Sequence, residues 1–327
     1  MTPPRSRVVA GFAAAPAAPT GGGGAATPDS AKPRLDVPSG ACDCHVHVFD
    51  PDRFPYDRGR TYTPGPARVK ELTRFLGGLG LDRVVLVQPS VYGTSNACLV
   101  AALAALGPGI ARGVAVIDPH AATEDELSRL YDAGVRGLRV NLESRGERSP
   151  EAARTAVAAV AERAAGHGFA VQVYADLALV AGLADDLSRL PAPLVLDHFG
   201  GAQAGPGVEQ RGLRALTDLL AAGNTWVKLS AVYRVSRGGG PYEDVRPLAE
   251  ALIAANPDRV VWASDWPHTG GGRERAARGL AGIEPFRRID DAHVLGLLAT
   301  WTGGPELHRR VLVDNAARLF GFDGARA

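Results

Sequence analysis

The chain is short of cysteine, with three in 327 residues, too few for a disulfide scaffold. Two of them, Cys42 and Cys44, stand two apart on a strand-like run, where their Cα atoms lie near or beyond the upper limit for a bridge. A reducing, cytoplasmic setting is therefore expected. An excess of one charge is equally lacking, since 36 lysines and arginines meet 35 aspartates and glutamates for a net +1. No global field draws the protein to nucleic acid or to an acidic membrane, and neither partner is expected. There is no apolar run of the roughly 18 residues a spanning helix requires. No G-x-G-x-x-G follows the first strand-like run, which argues against a dinucleotide-binding open sheet.

Large apolar side chains are nearly absent from residues 1–38, which are dominated by Ala, Pro and Gly and include GGGG at 21–24. Such a segment cannot bury enough surface to offset its ordering entropy, and a disordered tail is expected. A secretory signal is the competing reading, because Arg5 and Arg7 precede VVAGFAAA. That stretch is short and weakly hydrophobic, which weighs against export.

From residue 39 to 327, short β-branched runs alternate with longer amphipathic ones. Eight runs read as strands: 41–48, 83–90, 111–117, 135–141, 169–175, 193–199, 225–233 and 259–265. Thr123 with Glu126 forms a capping box ahead of LSRLYDAG, and Ser149-Pro150 opens an alanine-rich helix that should stop near Gly166. Eight strands alternating with helices predict an α/β (β/α)₈ TIM barrel. In that fold, chemistry belongs at the C-terminal ends of the strands. Polar residues gather there in run after run: His45 and His47, Gln88 and Ser90, Arg139 and Asn141, Tyr174, His198, Ser230, Asp265.

Strand alternation assigns Asp43, His45 and His47 in CDCHVHVFD (42–50) to one face, and Cys42, Cys44, Val46 and Val48 to the other. The histidines then face the barrel mouth, and the cysteines act as small buried hydrophobes. A lone His-x-His is weak and is often only a pair of satisfied core histidines. Joined by His198 at the end of strand six and Asp265 at the end of strand eight, it becomes much more specific than four unrelated core residues.

With these positions in view, the chain resembles the amidohydrolase superfamily, and within it the branch of pyrone-dicarboxylate and related lactone hydrolases. The resemblance is carried by CDCHVHVFD, RFPY (53–56), YTP (62–64), LVQPSVYGTSN (86–96), GLRVN (137–141), LDHFG (196–200), KLSAVYR (228–234), WASDWPH (262–268) and DNAARLFGF (314–322). It implies a hydrolase acting on a cyclic ester in aromatic-compound catabolism. Superfamily members that use a metal hold it with the His-x-His, the strand-eight Asp and further ligands from strands four and five. Here those last positions carry Arg139, which cannot ligate, and Tyr174. His45, His47, His198 and Asp265 remain able to hold one zinc ion, but the closer resemblance implies a site without metal or other cofactor, and that is the expectation.

The mechanism it implies uses Asp265 as general base, with His45, His47 and His198 pointing N–H groups at the carbonyl. Arg139, Arg145 and Arg234 around one mouth suggest a small lactone carrying two or three carboxylates. Tyr62, Ser90 and Tyr174 are candidate hydrogen-bonding partners for it. His268 stands where the resemblance implies asparagine, which puts substrate identity in question more than reaction type. The alternatives are a metal-dependent amidohydrolase or non-oxidative decarboxylase of the same superfamily, or a sugar-acid lactone isomerase. A monomer or small homo-oligomer is expected.

Overall fold

A computed structural model describes residues 36–271, 275 and 277–322. The tail expectation for 1–38 therefore falls almost wholly outside the described residues. Of its last three positions, Val37 packs partly buried against the core and the Pro38 carbonyl accepts from Ala41 N at 3.1 Å. Eight strands follow: β1 (Cys42–Val46), β2 (Arg83–Val87), β3 (Ala111–Ala115), β4 (Val135–Asn141), β5 (Ala170–Tyr174), β6 (Leu194–Leu196), β7 (Thr225–Ser230) and β8 (Val260–Ala263). Each pairs in parallel with the next in sequence. The ring closes where β8 runs out beside β1: Asp265 N donates to His45 O at 3.0 Å, and His47 N to Trp266 O at 2.8 Å. The residues that close the barrel are the ones the sequence marks for chemistry, and the expected (β/α)₈ barrel is borne out.

Local chemistry explains the element boundaries. Thr123 accepts from Glu126 N and starts helix Glu124–Asp132, while Ser149 accepts from Ala152 N with proline in the first turn of Pro150–Ala165. Among the described residues no helix is long and apolar enough to cross a membrane.

The simple two-face reading of CDCHVHVFD needs correction. Asp43 pairs with Val84, yet Val46 pairs with Leu86, so three steps on β1 oppose two on β2. That extra residue is a β-bulge. Its cause is Asp43, whose Oδ1 accepts from His45 N at 3.1 Å and from Ser264 N at 3.0 Å. A backbone donor that would have joined the ladder is thereby taken by a side chain. Cys42 and Cys44 consequently cluster with Val85, Val87, Val195 and Trp226, on the same inner face that carries the histidines beyond the bulge. Val46 and Val48 pack outward with Leu72 and Leu76.

The cysteines are still free, buried and apolar in their surroundings. The floor below them is sealed by the C-terminal segment, whose Phe320 and Phe322 join that inner cluster.

Candidate active site

Above the apolar floor, the barrel interior turns polar. Asp197, one residue past β6, is buried at the centre of a network. Its Oδ1 lies 3.1 Å from His45 Nδ1 and 3.5 Å from Lys228 Nζ. Its Oδ2 accepts from Arg139 and from Gln172 Nε2, both at 3.1 Å. Lys228 also donates to Gln172 Oε1 at 2.6 Å. Burial opposes a charge on Asp197, but His45, Lys228 and Arg139 override it and hold its carboxyl well below the usual range. Arg139 belongs to the site residues expected from sequence; Asp197, Lys228 and Gln172 do not. Their signal was a polar residue at the inward parity of otherwise apolar strands.

Each partner fixes a tautomer. A lone pair on His45 Nδ1 would face the Asp197 carboxylate at 3.1 Å, so that nitrogen carries the proton, although Lys228 Nζ also stands 3.4 Å away. His47 Nδ1 donates to the Val87 carbonyl at 2.7 Å. Burial drives the His45 pKa well below the ordinary value, so its ring is neutral and its Nε2 is a lone pair. That Nε2 is buried without a hydrogen-bond partner. Neutral His45 is thus an acceptor toward the site, which departs from the expectation of three N–H donors, while His47 presents its Nε2 to Asp265. His198 differs: its Nδ1 lies 2.8 Å from Ser230 Oγ, whose hydroxyl can donate and leave Nε2–H facing outward.

Asp265 completes the set. Its Oδ1 lies 3.7 Å from His45 Nε2 and 3.5 Å from His47 Nε2. Its Oδ2 accepts from Tyr233 Oη at 2.6 Å and Arg234 Nε at 3.1 Å. Burial would raise its pKa, but the neighbouring His198 and the Arg234 guanidinium override it and hold it well below the carboxylate range. Asp265 and His198 adopt positive φ values of 67° and 49°, a cost concentrated at strand ends where side chains must be aimed. Burial also lowers the His198 pKa to about 4. With the base ionised and the imidazole neutral, kcat/KM should stay level from pH 8 down to about 5. An acid limb at pH 6–7 in the pH–rate profile would contradict these assignments.

These groups face a cavity of about 290 Å³ lined by His47, Tyr62, Ser90, Arg139, Tyr174, His198, Arg234 and Asp265. Nearly all the expected site residues therefore meet, with His45 just beneath, its ring centroid 4.9 Å from those of His47 and His198. Arg275, which sequence reasoning missed, also lines the cavity, clamped by Glu284 at 2.6 and 2.7 Å and stacked 3.8 Å over Tyr62. His268 does not line it, contrary to expectation. Its Nε2 pairs with Asp291 at 2.9 Å, and its ring packs on Tyr233. Its ring reaches Asp265 through Tyr233, and its backbone N donates to Asp265 O at 2.9 Å. The Arg145 side chain lies outside the described residues.

The Nε2 atoms of two imidazoles and a carboxylate oxygen converge, each imidazole oriented by a hydrogen bond from its other nitrogen, as zinc ligands generally are. His45, His47 and Asp265 fit one divalent ion. Arg234 on the far oxygen of Asp265 weighs against it by charge.

Residues 42–322 match the family described as Amidohydrolase, and the chain belongs to that family. It is 35% identical over 295 residues to a 4-sulfomuconolactone hydrolase of Rhizobium radiobacter, covering 87% of this chain and 91% of the relative. It is 33% identical over 300 residues to a 2-pyrone-4,6-dicarboxylate hydrolase of Comamonas testosteroni, covering 88% and 92%. An apo crystal structure from Agrobacterium tumefaciens superimposes with a TM-score of 0.75 at 28% identity, over 89% of this chain and 98% of that one. The family read from the strand-end motifs is borne out.

Proposed function

We propose that this enzyme hydrolyses the ring ester of a small lactone bearing two or more anionic groups. The observation that carries the reading is Asp265, held well below the carboxylate range beside the Nε2 atoms of His45 and His47, in a cavity that also holds Arg139, Arg234 and Arg275. Relatives that are one-third identical act on a sulfonated muconolactone and a pyrone dicarboxylate, both anionic cyclic esters.

The chemistry follows from the acceptors. A water donates one hydrogen to Asp265 Oδ1 and the other to an imidazole Nε2, which turns its oxygen lone pair toward the ester carbon. Asp265 takes the proton as the C–O bond forms, and His198 Nε2–H stabilises the oxyanion. One such donor is worth roughly 3 kcal/mol in the transition state. Collapse breaks the ring C–O bond, and protonated Asp265 returns its proton to the leaving oxygen, giving the open-chain hydroxy acid.

The positive charge of these guanidinium groups, and the N–H groups their protein partners leave over, anchor the substrate's anionic substituents. Replacing Arg234 by lysine keeps the charge but loses the fixed guanidinium geometry, so KM for a dicarboxylate lactone should rise about tenfold, a loss of roughly 1.4 kcal/mol. Steady-state kinetics would check this; an unchanged KM removes Arg234 from substrate binding.

The unpartnered Nε2 of His45 favours a second reading. A divalent ion held by His45, His47 and Asp265 would supply Lewis-acid polarisation. The ion-free reading expects turnover that resists chelator and less than stoichiometric metal by elemental analysis. One tightly held zinc per chain, lost on replacing His45 by asparagine, would decide for the second.

A further inference from the structure

The catalytic cavity adjoins a much larger groove of about 990 Å³, with Thr61, Ser90, Arg139, Asn141 and Ser144 lining both. One wall is the helix Pro150–Ala165, which presents Ala152, Ala156, Ala159 and Val160 at helical spacing. The loop after β3 also lines it, with Val116 and Ile117. The acids Asp57, Asp118 and Glu151 offset the basic Arg60 and Arg139 in the lining, so the groove has no pull for an anion.

The second observation lies in its floor. Gln88 is fully buried, and its amide nitrogen donates to Ser95 O at 2.7 Å, which fixes the side-chain orientation. Its Oε1 has no hydrogen-bond partner, and neither does the buried Nε of Arg139. An acceptor and a donor, both buried and both unmet, cost free energy until a group that can donate and accept reaches them. A hydroxyl does both.

We propose that the substrate lactone carries an uncharged arm several carbons long, ending in a hydroxyl, that lies in this groove while the ring sits over Asp265. The proposal rests on the lactone-hydrolase reading and extends it from the reacting ring to the substituent that selects the substrate. Groove volumes of this size are typical of sites for whole small molecules, whereas the catalytic cavity alone suits a bare ring.

The test uses two lactone monocarboxylates, one compact and one with a hydroxyphenylethyl arm at the ring carbon distal to the ester. Calorimetry on the Asp265→Asn protein, where turnover is slowed about a thousandfold, should show the armed compound binding at least about tenfold more tightly. Ala156→Phe, which fills the groove from an accessible helix face, should abolish that difference and leave binding of the compact lactone unchanged. Ala159→Phe is the second variant should the first fail to fold, and thermal unfolding reports which did. Equal affinities for the two compounds, or an advantage that survives the filled groove, overturn the proposal. Turnover by the wild-type enzyme is read separately: ring opening of neither compound, with the groove-dependent affinity intact, sinks the hydrolase reading and leaves the groove as a binding site.

Discussion

Asp265→Asn should lower kcat by about three orders of magnitude, within the range general-base catalysis contributes, with KM little changed. The substitution is nearly isosteric. Tyr233 and Arg234 would still donate to the remaining amide oxygen, so the positive-φ turn at Asp265 and the closing bond from its N to His45 O should persist. What is lost is the carboxylate oxygen that takes a proton from water and returns it to the leaving oxygen. Single-turnover kinetics on the purified variant would isolate the chemical step. Full activity would remove Asp265 as the base, whereas a large KM rise with kcat intact would mean that it binds substrate instead.

The second large effect concerns stability. Asp197→Ala removes the one carboxylate that Lys228 and Arg139 share, and both cations sit in the barrel interior. Breaking a buried ion pair from one side costs about 3–5 kcal/mol, because the stranded charge keeps its desolvation penalty. The urea midpoint should fall accordingly. Converting Lys228 to methionine in the same protein should recover part of the loss, since it removes one of the stranded cations. A midpoint unchanged by Asp197→Ala would mean that Gln172 and the carbonyls nearby satisfy the cations alone.

The sequence made the barrel and most of its mouth readable for a definite reason. Each strand is a short β-branched run ending in a polar residue, and that pattern depends only on neighbours along the chain. His45, His47, Arg139, Tyr174, His198 and Asp265 could be seen this way. The bulge in β1 could not, because it depends on Asp43 reaching Ser264, 221 residues away. Asp197, Lys228 and Gln172 each look like an isolated exception within an apolar strand, and only the ring of strands turns three exceptions into one network. His268 misled for the same reason: its partner Asp291 lies 23 residues on, in a helix, and draws the ring away from the cavity. The tautomer of His45 follows from Asp197, so its change from donor to acceptor required the folded geometry.

The central claim is tested most directly by following ring opening of three lactones by the purified enzyme: one with two carboxylates, one with a single carboxylate and one uncharged. The account predicts kcat/KM falling steeply in that order, with kcat about a thousandfold lower in Asp265→Asn. Ring opening of the uncharged lactone at the rate of the dicarboxylate, or no ring opening of any of the three, would contradict it.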